Sequence, residues 1–278
     1  MQRKNDTIKI NLPAGVLPTG DFLTIVTAAE NAKAESIQFG SRQQLYVRVS
    51  VEFSHVMGEA LGKAGIFYEL NEDEYPNIVS SFVAENVFHT ASWMSEGTYR
   101  EILDTFNFWS RLKINIVDSG QSFTPFFTGN LNFISSHLSN YWFLYLRFPK
   151  TNIIYRWPGL LYSADLSKVS ELIEETIFKR KEDFFDQEFI NGAYISQAVA
   201  QKAKFNMQPI NEELGLPDFT LPYYEGFNRY GNKIWLGIYR RAEKFPISFM
   251  KDICLVCLQT KLSQVYITPW KSLIIKDI

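Results

Sequence analysis

The chain has 278 residues, 46% of them hydrophobic and 21% charged, with a formal net charge of -2; this excludes a disordered chain on composition and leaves no basic excess of the kind nucleic-acid-binding proteins carry. No run approaches the roughly 18 apolar residues needed to span a bilayer, and the polar opening MQRKNDTIKINLP has no signal-peptide core. The chain is therefore expected in the cytoplasm, without a nucleic-acid or membrane partner.

In chain order, IKINLP reads as a strand. The next segment predicts a helix over 20–32, with Thr19 as N-cap, Asp21 in the first turn and Phe22, Leu23, Val26 and Ala29 at helical spacing. SIQFG and QQLYVRVSV read as extended. Phe53, Val56, Met57, Ala60 and Leu61 mark a second helix, closed by Gly65. IFYEL returns to strand. The first part of the chain is thus a β-α-β unit with an extra helix attached.

The middle region opens with a helix carrying Thr98, Tyr99, Ile102, Leu103 and Phe106, followed by strand-like LKINIV, LNFIS and YWFLYLRF. Residues 166–205 read as helical, with the charge run KRKED on a solvated helix face. The turn-rich NMQPINEELGLPDFTLPYYEG reads as a linker. At the far end NKIWLGIYRR is a strand, FPISFMKDICLVCLQTKL a helix started near Pro246, and SQVYITPWKSLIIKDI is extended again.

Sliding the first segment by 228 positions places Ile37 on Val265, Phe39 on Ile267, Arg42 on Trp270, Gln43 on Lys271 and Val47 on Ile275. The two ends are an internal repeat. A β-α-β half has an open sheet edge and an uncovered face, so two halves packing side by side is a sensible arrangement. The expected fold class is α+β: two ferredoxin-like β-α-β half-domains, 1–70 and 216–278, pairing around a central α/β domain, 71–215. The helix that follows the last strand of the first half has no counterpart before Ile278, so the chain is expected to be a piece of a longer gene product.

Six motifs in order, LPTGDFL, GSRQQLYV, PNIVSS, SRLKINIVDS, GNLNFISS and ITPW, resemble the nitrite and sulfite reductase ferredoxin-like superfamily over almost the whole chain. That resemblance implies two ferredoxin-like halves around a central domain. In such proteins a siroheme lies in a basic cleft, and four cysteines hold a [4Fe-4S] cluster. GSRQ, NIVSS, LKINI, LPYYEG and ITPWKS are most similar to a branch in which an iron-binding rubredoxin domain follows at the C-terminal end. Residue by residue, Arg42 matches the family arginine that contacts siroheme carboxylates or a bound anion, with Gln43 beside it. Arg111 and Lys113 match two lysines of the anion-binding strand, so one is altered. Pro76 stands where a further active-site arginine is usual, and the four-cysteine motif is absent.

On their own chemistry these residues keep two readings. The Arg42 guanidinium suits a carboxylate through two parallel donors, and equally a turn or an acidic neighbour. Arg111 and Lys113 alternate on one strand face, which serves a polar cleft or plain solvent exposure. Asn130 and Asn132 suit a ligand or buried backbone. Cys254 and Cys257, at i and i+3 on one helix face, read as core packing rather than metal ligands. His55, His89 and His137 have no metal-ligand spacing. Two functions are therefore expected in competition. One is an oxidoreductase-like module, inactive as an isolated chain, with a basic cleft for an anionic small molecule or tetrapyrrole and electrons from a rubredoxin or other electron-transfer protein. The other is a non-enzymatic binding or scaffold protein that kept the fold and lost siroheme and cluster chemistry.

Overall fold

The computed structural model describes residues 4–88 and 93–278. These form two compact units, Met1–Asn77 together with Tyr223–Ile278, and Ile78–Pro222. His89 lies outside the described residues.

The first unit opens with β1 (Asn5–Ile10), β2 (Val16–Pro18), α1 (Thr19–Asn31), β3 (Ser36–Phe39), β4 (Leu45–Ser50), α2 (Ser54–Lys63) and β5 (Glu69–Leu70). Strand β4 pairs antiparallel with β1 and β3, and period-2 alternation sends Ile8, Ile10, Val47 and Val49 into the core. Thr19 does not cap its helix: its hydroxyl donates to the carbonyl of Leu262 at 2.7 Å. IFYEL is strand only at Glu69–Leu70, because Asn71 takes φ 61° and the Glu69 carboxylate accepts the amides of Glu74 and Tyr75, turning the chain. That carboxylate also pairs with Lys9, which is buried and bonds Asp73 at 2.5 Å as well.

The second unit contains β6 (Val79–Ser80), α3 (Glu96–Leu103), β7 (Ile114–Val117), β8 (Leu131–Ser135), β9 (Tyr141–Arg147), β10 (Ile154–Arg156), β11 (Leu160–Tyr162), α4 (Leu166–Lys179), α5 (Lys181–Phe184), α6 (Gly192–Lys202) and β12 (Met207–Gln208). Its sheet runs β12-β11-β9-β8-β7-β6, with β10 on β9. Strands β6, β7 and β8 are parallel, and β9 turns antiparallel. Both β7 and β8 are buried at every position, as strands covered on both faces are. The predicted helical stretch 166–205 breaks inside the charge run, where Arg180 leaves helical geometry. The break lets adjacent Phe184 and Phe185 reach different rings, Phe148 at 5.9 Å and Phe178 at 5.5 Å.

The first unit is completed by β13 (Gly226–Tyr230), β14 (Lys233–Ile238), β15 (Phe245–Pro246), α7 (Ile247–Gln259), β16 (Gln264–Ile267) and β17 (Leu273–Ile275). The 228-residue offset holds position by position: α7 matches α1, β14 matches β1 and β16 matches β3. Left-handed backbone recurs with it, at Lys33 and Lys261 and again at Gln43 and Lys271. The halves also exchange edge strands. One sheet is β15-β3-β4-β1-β5, the other β13-β14-β17-β16-β2. The Thr19 amide donates to Ser263 at 2.9 Å, and the Ile247 amide, its repeat partner, donates to Glu35 at 3.2 Å.

Helices α1 and α7 pack on each other, and Phe22, Val26 and Ala29 share one core with Met250, Cys254 and Cys257. Burial raises the Cys254 thiol from its ordinary 9.0 to about 12. Between those values the unfolded chain has released a proton that the native chain still holds, so stability falls as pH rises through this window. The urea midpoint is expected to drop between pH 8 and pH 10, and Cys254→Ala, which has no thiol to titrate, is expected to lessen that slope by up to about 1.4 kcal/mol per pH unit.

Candidate functional site

The residues expected to bind a ligand lie in both units. In the first, Gly40–Gln44 is a tight turn between β3 and β4, closed by Gly40 N–H to Gln44 O at 2.8 Å and Gln43 N–H to Gly40 O at 2.9 Å. Arg42 projects from it and donates Nε and Nη2 to the carbonyl of Asn77 at 3.2 and 2.7 Å. Asn77 answers from PNIVSS: its Nδ2 donates to the carbonyls of Leu12, Arg42 and Gln43 at 2.7, 2.8 and 3.1 Å. Burial pulls the Arg42 guanidinium down to about 10, against the opposing pull of Asp73 and Tyr46. It remains charged at neutral pH. Gln43 is fully buried at φ 60° and donates Nε2 to Ile267 O at 3.2 Å, across to the other half of the repeat. Gly15 lies beside it at φ 71°, where a Cβ would stand 2.2 Å from that same carbonyl.

In the second unit, the segment just before β7 alternates as expected: Leu112 is buried, Arg111 and Lys113 are exposed. Their surroundings differ. Arg111 is taken up by α4, because the Glu174 carboxylate accepts the Ser110 hydroxyl at 2.6 Å, the Arg111 amide at 2.9 Å and Arg111 Nε at 3.4 Å. The guanidinium also lies 4.0 Å from the centre of the Phe178 ring. No carboxylate comes within ion-pair distance of Lys113 among the described residues. Lys113 lines a cavity of about 1020 Å³ with Gly129, Asn130, Arg147, Lys150, Asp186 and Glu188 among its walls.

Asn132 holds the loop of residues 128–130, which lines that cavity. Its Oδ1 accepts Gly129 N–H at 2.9 Å, and its Nδ2 donates to Gly129 O and Tyr145 O at 3.0 and 3.1 Å. Asn115, fully buried on β7, donates to Asn132 Oδ1 and to the Thr128 hydroxyl. A Cβ at Gly129 would stand 2.8 Å from Lys113 O, so glycine lets the 128–130 loop lie against the strand carrying Lys113. Asn130 fixes the same place from outside, accepting the Lys113 amide at 3.0 Å and donating to Arg147 O at 3.0 Å.

The sequence reading missed Arg147 and Lys150. Their signal was RFPK, where an apolar strand ends in two cations around a Phe-Pro turn. Arg147 is braced by Thr151 O at 3.2 Å and Asn152 Oδ1 at 2.7 Å, and Lys150 takes φ 59°. Elsewhere, His55 is exposed, His137 faces Glu212 at 3.2 Å, and Cys254 and Cys257 are buried in the core. Among the described residues no three metal-ligating side chains converge, and no helix is long and apolar enough to cross a membrane.

A mixed sheet in one unit and an internal repeat exchanging edge strands in the other make an α+β fold. The NirA protein of Mycobacterium tuberculosis shares it, with a TM-score of 0.72 at 13% identity, over 100% of this chain and 55% of that one. This chain thus spans about half the length of the structure it resembles. No protein-family model matches the sequence, and no curated protein does.

The pairing of Arg111 with Glu174 has a measurable asymmetry. Glu174→Ala strips acceptors from a hydroxyl, two amides and a guanidinium and is expected to cost about 3 kcal/mol. Arg111→Ala loses a half-exposed ion pair and a ring contact, about 1 kcal/mol. Urea unfolding of the two variants checks this; equal losses would show that Glu174 serves the guanidinium and not the turn.

Proposed function

We propose that this chain is a redox-associated module that binds an anionic small molecule, or the carboxylates of a tetrapyrrole such as siroheme, at the Lys113 cavity. The observation that carries the reading is Lys113 itself, a cation without a carboxylate partner among the described residues, in a cavity whose walls also bear Arg147 and Lys150. Asp186 and Glu188 line the same cavity, so the preference for anions rests on three cations against two carboxylates. Asn132 and Asn130 would act through the loop, keeping Lys113 and Arg147 at fixed separation. Arg42 and Gln43 would hold the turn that meets Asn77, with the remaining donor capacity of Arg42 available to a carboxylate.

A bound tetrapyrrole would supply the electron-transfer chemistry. The chain's own residues would hold its carboxylates, and place positive charge where an oxyanion substrate gains negative charge. The donor set fits such a group. It does not fit a four-cysteine cluster, since the sequence has two cysteines and both pack in the apolar core. Under this reading the parts are the half-domains 1–70 and 216–278 and the central domain 71–215, working in the cytoplasm with electrons delivered by a rubredoxin domain of a longer polypeptide or by a separate electron-transfer protein.

A second reading, a binding scaffold without catalysis, is favoured by two observations: Arg111 is engaged by Glu174, and Pro76 stands at a position where the family resemblance implies an arginine.

Calorimetric titration with sulfite and with uroporphyrin, a tetrapyrrole bearing eight carboxylates, tests both. Saturable binding that weakens with salt, and at least tenfold in Lys113→Glu and in Lys150→Ala, is the expected result, a loss of about 1.4 kcal/mol or more. Binding unchanged in both variants would reject the cavity. Sulfite binding with no porphyrin binding would select the scaffold reading.

A further inference from the structure

The Lys113 cavity carries charge of both signs. Lys113, Arg147 and Lys150 line it together with Asp186 and Glu188. Among the described residues none of the five lies within ion-pair distance of an opposite charge. Charges just outside the cavity behave otherwise: Glu174 takes Arg111 at 3.4 Å, Asp183 takes Arg180 at 2.5 Å and Glu175 takes Lys202 at 3.0 Å. Opposite charges that share a wall normally close on one another, so what keeps these apart has to be found in the backbone.

The two charged segments are locked together before their side chains can choose. Phe184 stacks on Phe148, with ring centroids 5.9 Å apart and planes 13° from parallel. Two residues further on, the Asp186 amide donates to the carbonyl of Pro149 at 3.2 Å. Lys150 and Asp186 flank that bond in left-handed backbone, at φ 59° and 56°, a conformation uncommon for residues other than glycine. Arg147 is held from its own side by Thr151 O and Asn152 Oδ1. The 147–150 turn and the 186–188 segment therefore present their charges to the cavity instead of to each other.

A bare oxyanion uses only half of this lining, and it leaves two carboxylates facing a like charge. The cavity, at about 1020 Å³, also has room for far more than an ion of that size. We propose that its ligand is a zwitterion: a small molecule whose anionic group meets Lys113, Arg147 and Lys150, and whose amino group, several bonds away, meets Asp186 and Glu188. This rests on the reading of the Lys113 cavity as an anion site and narrows it to aminated anions.

Matched pairs of probes isolate the amino group. Calorimetric titration compares aminoalkanesulfonates of two, three and four carbons with the plain alkanesulfonates of the same length. At one length or more the aminated member is expected to bind at least about threefold more tightly, the scale of an exposed ion pair. In the double variant Asp186→Asn, Glu188→Gln that ratio is expected to fall to about one; both side chains are exposed, so the fold is retained. Comparing ratios cancels the general gain in anion affinity that follows from removing two negative charges. An aminated member no tighter than its plain partner at every length overturns the zwitterion, as does a ratio unchanged in the double variant. In either case Lys113→Glu still weakens the plain sulfonates if the anion site itself is right. Binding of both members unaffected by Lys113→Glu and by Lys150→Ala overturns the anion site and the zwitterion together.

Discussion

The first unit rests on an exchange. Each half of the repeat leaves its sheet one strand short, and the short strand before the helix of the other half, β15 or β2, fills the place. The two reciprocal amide bonds, Thr19 to Ser263 and Ile247 to Glu35, belong to that exchange. Because β2 runs straight into α1 and β15 into α7, seating the strands also seats the two helices on one another. A single apolar cluster results, running from Ile8 to Ile275. Gln43 depends on it, as does the close approach of Gly15 to Ile267, since both reach from one half to a carbonyl of the other.

The second unit solves a different problem, that of holding cations beside a buried sheet. Strands β7 and β8 are buried throughout, and polar groups so placed must find partners. Asn115 and Asn132 do so by bonding the 128–130 loop, which makes that loop a rigid wall of the Lys113 cavity. Glu174 does the same for the turn at Ser110, and in satisfying two amides it also draws in the Arg111 guanidinium. Two cations two residues apart thereby acquire different characters, one bound to α4 and one left facing the cavity.

Much of this was legible beforehand. The alternation of β1 and β4, the 3.6-residue period of α1 and the repeat offset were all in the sequence, because each depends on spacing along the chain. Gly65 also stood where expected, with φ 72° after α2. Other features failed for definite reasons. Thr19 had the chemistry of a cap, yet its hydroxyl went to Leu262, a partner 243 positions away. The run after Lys179 kept helical composition, yet two adjacent phenylalanines had separate rings to meet. Lys150 showed only as the second cation of RFPK, with nothing local to say what it would line; it enters the cavity because the chain turns at 148–152.

Sequence by itself determined the periodic elements, the two-fold repetition of a β-α-β half and the candidate cations Arg42, Arg111 and Lys113, since residue type and spacing are local properties. Tertiary structure alone decided which charges are neutralised and which glycines meet a carbonyl. Those outcomes depend on what approaches from elsewhere in the chain: Glu174 at Arg111 and Asn77 at Arg42.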